Sequence, residues 1–343
     1  MNFLSNFIHL AISMFPKWRR PQFYLFVWYS LRNRSIVFFT VVNPKLEGGG
    51  MFGESKLEIH EILHPDFIPK TIPYDNSIKD IEKILIENEL KFPLILKPDT
   101  GANGKGVYKA DNMKHLIFLM ANIENQNLII QEFIKLEREF SIMYYCFPET
   151  NEPIAYSIIE KKYPFIVGDG QSTISKLIDN LNNDRLRMDF LRKKFEDRWN
   201  EIPTKGEKII VDFIGNYLSG ATFELCTVDI PPSLGKAIHK AITETGDIYF
   251  GRLDVKANSI SALINGDFQI IEINGAKAEP LELYTPSISD KRKMIVIRNH
   301  WKMLHIISKQ QRKKGFRPMP YREAFRSLGK AVYGMKNNRL KKQ

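Results

Sequence analysis

Two short segments late in the chain alternate apolar and polar side chains with the period of a β-strand. Residues 247–257 (DIYFGRLDVKA) and 267–274 (DFQIIEIN) are rich in β-branched and aromatic residues, and Asn265-Gly266-Asp267 between them is a turn signal. A period of two puts Arg252 and Asp254 on one face of the first strand, and Glu272 and Asn274 on one face of its neighbour. Further strands are predicted at 92–98, at 35–42 (SIVFFTVV) with Asn43-Pro44 as its stop, and across 128–143 (LIIQEFIKLEREFSIM), where two strands flank a polar linker. Helical spacing predicts helices over 77–90, with Ser77 as cap and Asp80 three residues on, over 172–181 and 232–245, and over the charged stretch 184–199. From Lys70 onward the alternation of elements is that of mixed α/β lobes in one compact body, without repeats or long linkers.

The ends differ from the middle. Residues 1–15 are apolar but interrupted by Ser, Asn and His, which argues against a signal peptide, and they are too short to span a bilayer. After Lys17-Trp18-Arg19-Arg20-Pro21 comes an aromatic run, 23–29 (FYLFVWY). It fits either a membrane interface or a helix packed on the body, the second being the simpler account. At the other end, apolar positions 295–306 suggest a docked helix, Arg312 to Gly315 a break, and 321–333 a second basic, amphipathic stretch. Residues 291–343 hold 17 Lys and Arg against one acidic residue, a balance of +16, whereas the chain as a whole is +11; all that precedes is therefore −5. An anionic membrane surface, an acidic carrier or nucleic acid could bind such a tail, and the absence of a nucleic-acid motif favours the first two. Cys146 and Cys226 read as buried free thiols, which suits a cytoplasmic enzyme, with a peripheral position at the inner membrane face as the extension the basic tail allows.

Chemistry enters with the paired strands. Asp254, Glu272 and Asn274 offer the hard oxygen donors that Mg²⁺ takes when a substrate supplies the remainder, with Arg252 beside them as a planar fork for phosphate oxygens. Alone, such a pair of strands is better explained as a solvated polar face. It is joined by Lys97 at the end of an apolar strand, followed by a loop with Gly101, Gly104, Lys105 and Gly106 whose amides can approach a phosphate closely. The glycine spacing is not that of a Walker A loop, and no Ser or Thr follows Lys105. Seven histidines form no metal-ligand or nucleophile pattern.

In this order, the three elements resemble the ATP-grasp superfamily of carboxylate–amine ligases, nearest its D-alanine–D-alanine ligase and cyanophycin synthetase branches, over about 53–286. The resemblance implies an ATP-grasp fold, with two α/β (α+β) lobes clasping ATP. A reduced N-terminal region at 1–65 would precede one lobe at 66–130 and a second at 131–290, with a basic helical extension at 291–343. It implies that Lys56 and Lys97 contact phosphates, that Gly101 to Gly106 with Lys105 close over them, and that Glu132, Phe133 and Ile134 hold adenine while Glu139 binds ribose hydroxyls. It also implies that Asp254, Glu272 and Asn274 hold Mg²⁺, with Mn²⁺ as a substitute, and that Arg252 stabilises the transferred phosphoryl group. Residues 160–174 resemble a stretch of cyanophycin synthetases, so that Lys161 or Lys162 faces the phosphates, unless the two form a surface pair. Where D-alanine ligases carry a proline-glycine turn, Gly275 to Pro280 reads GAKAEP, which argues against D-alanine as substrate. Gly215 to Ala221 is either a loosely similar substrate loop or a strand end and turn, and Arg185, Arg187 and Arg192 either receive a substrate carboxylate or form a solvated helix face. The expected function is ATP-dependent activation of a small-molecule carboxylate as an acyl phosphate and its ligation to an amine. The alternatives are a non-ligating ATP-binding regulator or scaffold, and a tail-driven binder of anionic polymer or membrane with ATP as a switch.

Overall fold

A computed structural model of the chain describes residues 20–340, apart from 53, 75–79, 102–103, 105, 124–126, 182–187 and 243–247. Two antiparallel sheets carry the architecture. The first has the order β1-β4-β2-β3 and is built from β1 (Thr71–Tyr74), β2 (Leu94–Pro98), β3 (Tyr108–Ala110) and β4 (Leu128–Glu132). Alternation along β2 sends Leu94 and Leu96 into a core shared with Leu85 of α3 (Ile81–Glu87) and Leu116 of α4 (Met113–Asn122), and turns Ile95 and Lys97 to the other side. Asp80 caps α3, its carboxylate accepting from the Lys83 amide at 3.0 Å; Ser77, the expected cap, lies outside the described residues.

The second sheet has the order β11-β10-β5-β6-β9, from β5 (Arg138–Phe147), β6 (Glu152–Lys162), β9 (Thr222–Leu225), β10 (Phe250–Ala257) and β11 (Gln269–Asn274). Phe140, Ile142, Leu253 and Val255 face α7 (Pro232–Ile242) and α8 (Ile260–Ile264) in the largest core cluster. The intervening polar residues of β5 and β10 therefore look back toward the first sheet. The connection between β10 and β11, expected as a bare turn, is α8 capped by Ser259 and closed by Gly266 at φ 86°. In the β10–β11 ladder Asp254 pairs with Glu272 and Val255 with Ile270, so that Ile271 is an extra, bulged residue. A small pair, β7 (Phe165–Val167) and β8 (Lys208–Ile210), follows β6, with α5 (Ile174–Asp179) and α6 (Met188–Lys194) packed on it. The charged stretch 184–199 is thus broken, with a 3-10 turn at Glu196–Arg198 after α6; Arg185 and Arg187 lie outside the described residues.

The ends of the chain meet. Helix α1 (Arg20–Asn33) lies along α9 (Asp290–Lys313), with Phe26 5.7 Å from Trp301 and Tyr29 5.0 Å from His305 between ring centres. α10 (Tyr321–Leu340) follows the break at Gly315. The segment 35–42 is not the expected strand. It is a 3-10 turn at Phe38–Val41, because Val37 with Phe38, and Val41 with Val42, are buried as adjacent pairs instead of alternating between faces, and the Thr40 hydroxyl donates to the Val37 carbonyl at 2.7 Å. Buried Asn43 then ties this segment to the second sheet: its side-chain oxygen accepts from the Tyr249 and Phe250 amides (2.8 and 2.9 Å), and its nitrogen donates to the Gly49 and Phe250 carbonyls (2.9 and 2.8 Å). Gly49 and Gly50 in turn accept from the amides of Ala276 and Lys277, just beyond β11. Among the described residues no helix is long and apolar enough to cross a membrane. Residues 1–19 fall outside them.

Candidate active site

The polar faces of the two sheets enclose a cavity of about 590 Å³. From the first sheet come Lys97 and, on the loop after β2, Gly101 and Gly104; from the strand junction come Glu132, Phe133 and Ile134; from the second sheet come Glu139, Lys161, Arg252, Asp254, Glu272 and Asn274. Lys56 enters at the first turn of α2 (Lys56–Glu61), where its ammonium donates to the carbonyls of Pro98 (3.0 Å) and Asp99 (2.9 Å). Residues scattered over more than 200 positions of sequence thus line one cavity.

Two expected site residues stand apart among the described ones. Lys162 alternates with Lys161 along β6 and emerges on the opposite face, where it pairs with Glu160 at 2.6 Å and with Glu224 at 3.7 Å; it does not line the cavity. Gly106 lies behind the loop beside Pro98 and also does not line the cavity. Lys105 lies outside the described residues. Cys226, expected as buried, is half-buried, whereas Cys146 is buried; both are free.

Electrostatics order the polar wall. Asp254 is buried, with Arg252 Nε and Nη2 3.2 and 3.3 Å from its two oxygens and Lys161 Nζ at 3.0 Å. Burial alone would raise its pKa, but the guanidinium and the ammonium outweigh it and hold the carboxyl at about 2. Lys161 is also bonded to Glu139 at 2.8 Å; desolvation opposes its charge, and Asp254 and Glu139 together raise its pKa in spite of it. Across the cavity buried Lys97 donates to Gln131 Oε1 at 2.8 Å, and burial followed by the neighbouring Lys56 lowers its pKa to about 8. Burial likewise lowers the pKa of Lys56, against the pull of Glu272.

Whether a divalent cation fits can be tested on the donors. Asp254, paired with Glu272 across the ladder, and Asn274, paired with Arg252, are hard oxygen ligands in adjacent positions. One end of the buried Asn274 side-chain amide has no hydrogen-bond partner, and a flip about its terminal torsion exchanges that end between nitrogen and oxygen. Among the described residues no cluster of three His, Cys, Asp or Glu forms a complete metal cage. The set is one that Mg²⁺ could use when phosphate oxygens complete its shell.

Residues 56–146 match the family of RimK-like ATP-grasp domains. The chain contains an ATP-grasp domain. The match begins at Lys56 and runs through the first sheet and the strand junction into β5, and the two sheets with their intervening cavity make up the ATP-grasp fold. No curated protein matches the chain. Among solved structures it is similar to a D-alanine–D-alanine ligase from Bacillus anthracis (14% identity, TM-score 0.43), with 78% of this chain and 70% of that one covered. It is also similar to a bifunctional glutathione synthetase from Pasteurella multocida (13%, TM-score 0.36; 69% of this chain, 34% of that one). A third similarity is to an N5-carboxyaminoimidazole ribonucleotide synthetase from Thermotoga maritima (16%, TM-score 0.33; 73% and 48%). The chain thus spans a third to a half of the last two, and likenesses this distant assign no substrate.

The ATP-grasp cavity also contains residues that sequence reasoning passed over. Lys256 continues the alternation of Arg252 and Asp254, and its ammonium lies 5.1 Å from the centre of the Phe133 ring and 5.6 Å from that of Tyr163; counting two further along the strand would have found it. Gln131 bridges Lys97 and the Thr71 hydroxyl, the latter at 2.8 Å. Lys277 on the cavity wall pairs with buried Glu54 at 2.5 Å, a contact between residues 223 apart that no local pattern signals. Gly104, at φ 66°, lies against Ile214 so closely that an added Cβ would come within 2.5 Å of its Cγ2.

Proposed function

We propose that the protein is an ATP-dependent ligase that activates a carboxylate as an acyl phosphate and joins it to an amine. The observation that carries this reading is the convergence of Arg252, Asp254, Glu272 and Asn274 opposite Lys56 and Lys97 in one cavity. In this reading Phe133 and Ile134 receive the adenine beside Glu132, Glu139 receives ribose hydroxyls, and Lys56 and Lys97 hold phosphate oxygens beneath the loop of Gly101 and Gly104. Asp254, Glu272 and Asn274 would hold Mg²⁺, which when bound neutralises charge on the phosphates.

A carboxylate is a poor electrophile. Its oxygen attacks the γ-phosphorus of ATP, the bond from that phosphorus to the β–γ bridging oxygen breaks, and ADP leaves with the bond's electrons. Arg252, anchored by Asp254 and by the Glu279 carbonyl at 3.2 Å, presents a fixed guanidinium to the phosphoryl oxygens over which charge spreads. Amine nitrogen then adds to the acyl carbon, phosphate departs, and the nitrogen releases a proton. The oxyanion formed on the way lies within reach of the same cations. Lys161 takes a structural part, holding Glu139 and Asp254 in place across two strands.

The test is phosphate release measured while carboxylates and amines are offered separately and together, with amino acids and short peptides as the first panel. A ligase of this type releases phosphate in steady state only when both are present. Release that ignores both, or ATP binding without turnover under every combination, sinks the proposal.

A further inference from the structure

Helix α1 is apolar on both faces. Leu25, Phe26 and Tyr29 pack toward α9, whereas Phe23, Tyr24, Val27, Trp28 and Leu31 face solvent, with Tyr24 58%, Trp28 54% and Leu31 71% exposed. Positions 23, 24, 27, 28 and 31 form one continuous stripe along three turns. An unbroken apolar helix face turned to water marks a surface with a partner.

The rim of that stripe is basic. Arg32 stacks over the Trp28 ring at 5.5 Å, and Arg34 is exposed just past the end of the helix. On α9, exposed Arg298, Lys302 and Lys309 recur on the side that carries His305, the residue that stacks on Tyr29. Lys309 and Arg32 both act on the His305 ring, which places the two helices' cations together. Composition sharpens the contrast. No acidic residue precedes Glu47, and 291–343 has one, whereas 47–290 carries 38 acidic against 27 basic residues. The positive charge of the chain is therefore gathered on two terminal elements that pack on each other. α10 repeats the character, with Tyr321, Phe325 and Leu328 exposed among Arg322, Arg326 and Lys330.

We propose that the outer face of α1, with its basic rim on α9, is a docking surface for an anionic lipid bilayer. Trp28 and Tyr24 have the amphipathic rings that settle at the headgroup level, Val27 and Leu31 enter the acyl boundary, and Arg32, Arg298, Lys302 and Lys309 meet lipid phosphates. Charge decides against a second copy of the chain. A two-fold pairing through this stripe would set one cationic rim against another, whereas an anionic membrane complements it. The surface is independent of the ligase reading, since none of these residues lines the cavity.

The experiment is flotation of the full chain with vesicles of phosphatidylcholine alone, and of phosphatidylcholine mixed with phosphatidylglycerol. The chain floats with the mixed vesicles, much less with the neutral ones, and is released by high salt. Trp28→Ser with Leu31→Ser lowers partition by about tenfold or more, and Arg298→Glu with Lys302→Glu by at least about fivefold at each position. Unaltered ATP affinity in both variants shows that the body is folded, and the charge variant stands alone if the apolar one fails to fold. The proposal is overturned by absence from the mixed vesicles, by partition that neither variant lowers, or by a doubled mass in sedimentation that the Trp28 and Leu31 changes abolish, which would make the surface a dimer contact.

Discussion

Lys97 sits in a wall that water scarcely reaches, and burial, followed by the neighbouring Lys56, lowers its pKa from 10.5 to about 8. The shift corresponds to roughly 3 kcal/mol against the charged form. A triphosphate laid beside the lysine supplies the missing counter-charge and returns the pKa toward its ordinary value. The sign follows directly. Well below pH 8 the free protein already carries the charge and ATP binds with little proton exchange; well above it the lysine is neutral when free and must take up a proton as ATP binds. Affinity contributed by this charge is therefore present below pH 8 and lost as pH rises toward 10.5. With these two values the apparent Kd should weaken about 30-fold between about pH 7 and about pH 9.5, and uptake should rise from about 0.1 to about 0.9 proton per ATP between about pH 7 and about pH 9. Calorimetry in buffers of different ionisation enthalpy reads that uptake. Lys97→Arg should flatten the pH dependence, because guanidinium stays charged, and Lys97→Met should bind weakly without uptake. Proton uptake absent at pH 9 in the wild type, or unchanged in Lys97→Met, would refute the reasoning and move the linkage to another group such as Lys56.

The site makes four further predictions. Glu272→Gln should raise the Mg²⁺ concentration needed for phosphate release by at least about tenfold while leaving the thermal transition unmoved, and an unchanged Mg²⁺ titration would remove Glu272 from the cation site. Lys161→Ala should abolish turnover by leaving Asp254 and Glu139 without their shared cation, whereas Lys162→Ala, on the outer face, should retain turnover within about twofold; equal losses would show that the side of β6 does not matter. Gly104→Val, at a positive φ and against Ile214, should weaken ATP binding and cost about 1–3 kcal/mol in urea unfolding, a reading that fails if Kd and midpoint both stay put. Asn43→Ala strips four buried hydrogen bonds and should destabilise by about 3 kcal/mol, checked by the same unfolding curve; a loss under about 1 kcal/mol would mean that those backbone groups find other partners.

What could be read from the sequence followed the range of the interactions. Strand period was enough to put Arg252 with Asp254, and Glu272 with Asn274, on a shared face of each strand; that this face of β11 looks into the cavity depends on the extra residue at Ile271, which the period does not show. The same period, carried through Lys161 to Lys162, separates a cavity residue from an outer one; treating the pair together blurred it. The 35–42 segment misled because β-branched and aromatic residues fit a 3-10 turn equally well when adjacent side chains such as Val37 and Phe38, or Val41 and Val42, are buried together. Pairings such as Lys277 with Glu54 or Asn43 with Phe250 leave no local trace, since they are set by where distant strands come to rest.

The extra residue at Ile271 gives β11 two phases. Before it, Phe268 and Ile270 point to the helix-covered core; after it, Ile273 does, and Glu272 and Asn274 are released into the cavity. Counted strictly by twos from Ile270, Glu272 would instead be driven among aliphatic side chains. The spacing of this strand is thus under tighter constraint than its composition: exchanging one aliphatic residue for another at Ile271 should be mild, and deleting it should keep Glu272 and Asn274 on the cavity side because the extra residue and the shift go together, but inserting one residue between Ile271 and Glu272 would turn both polar side chains toward the helix-covered core.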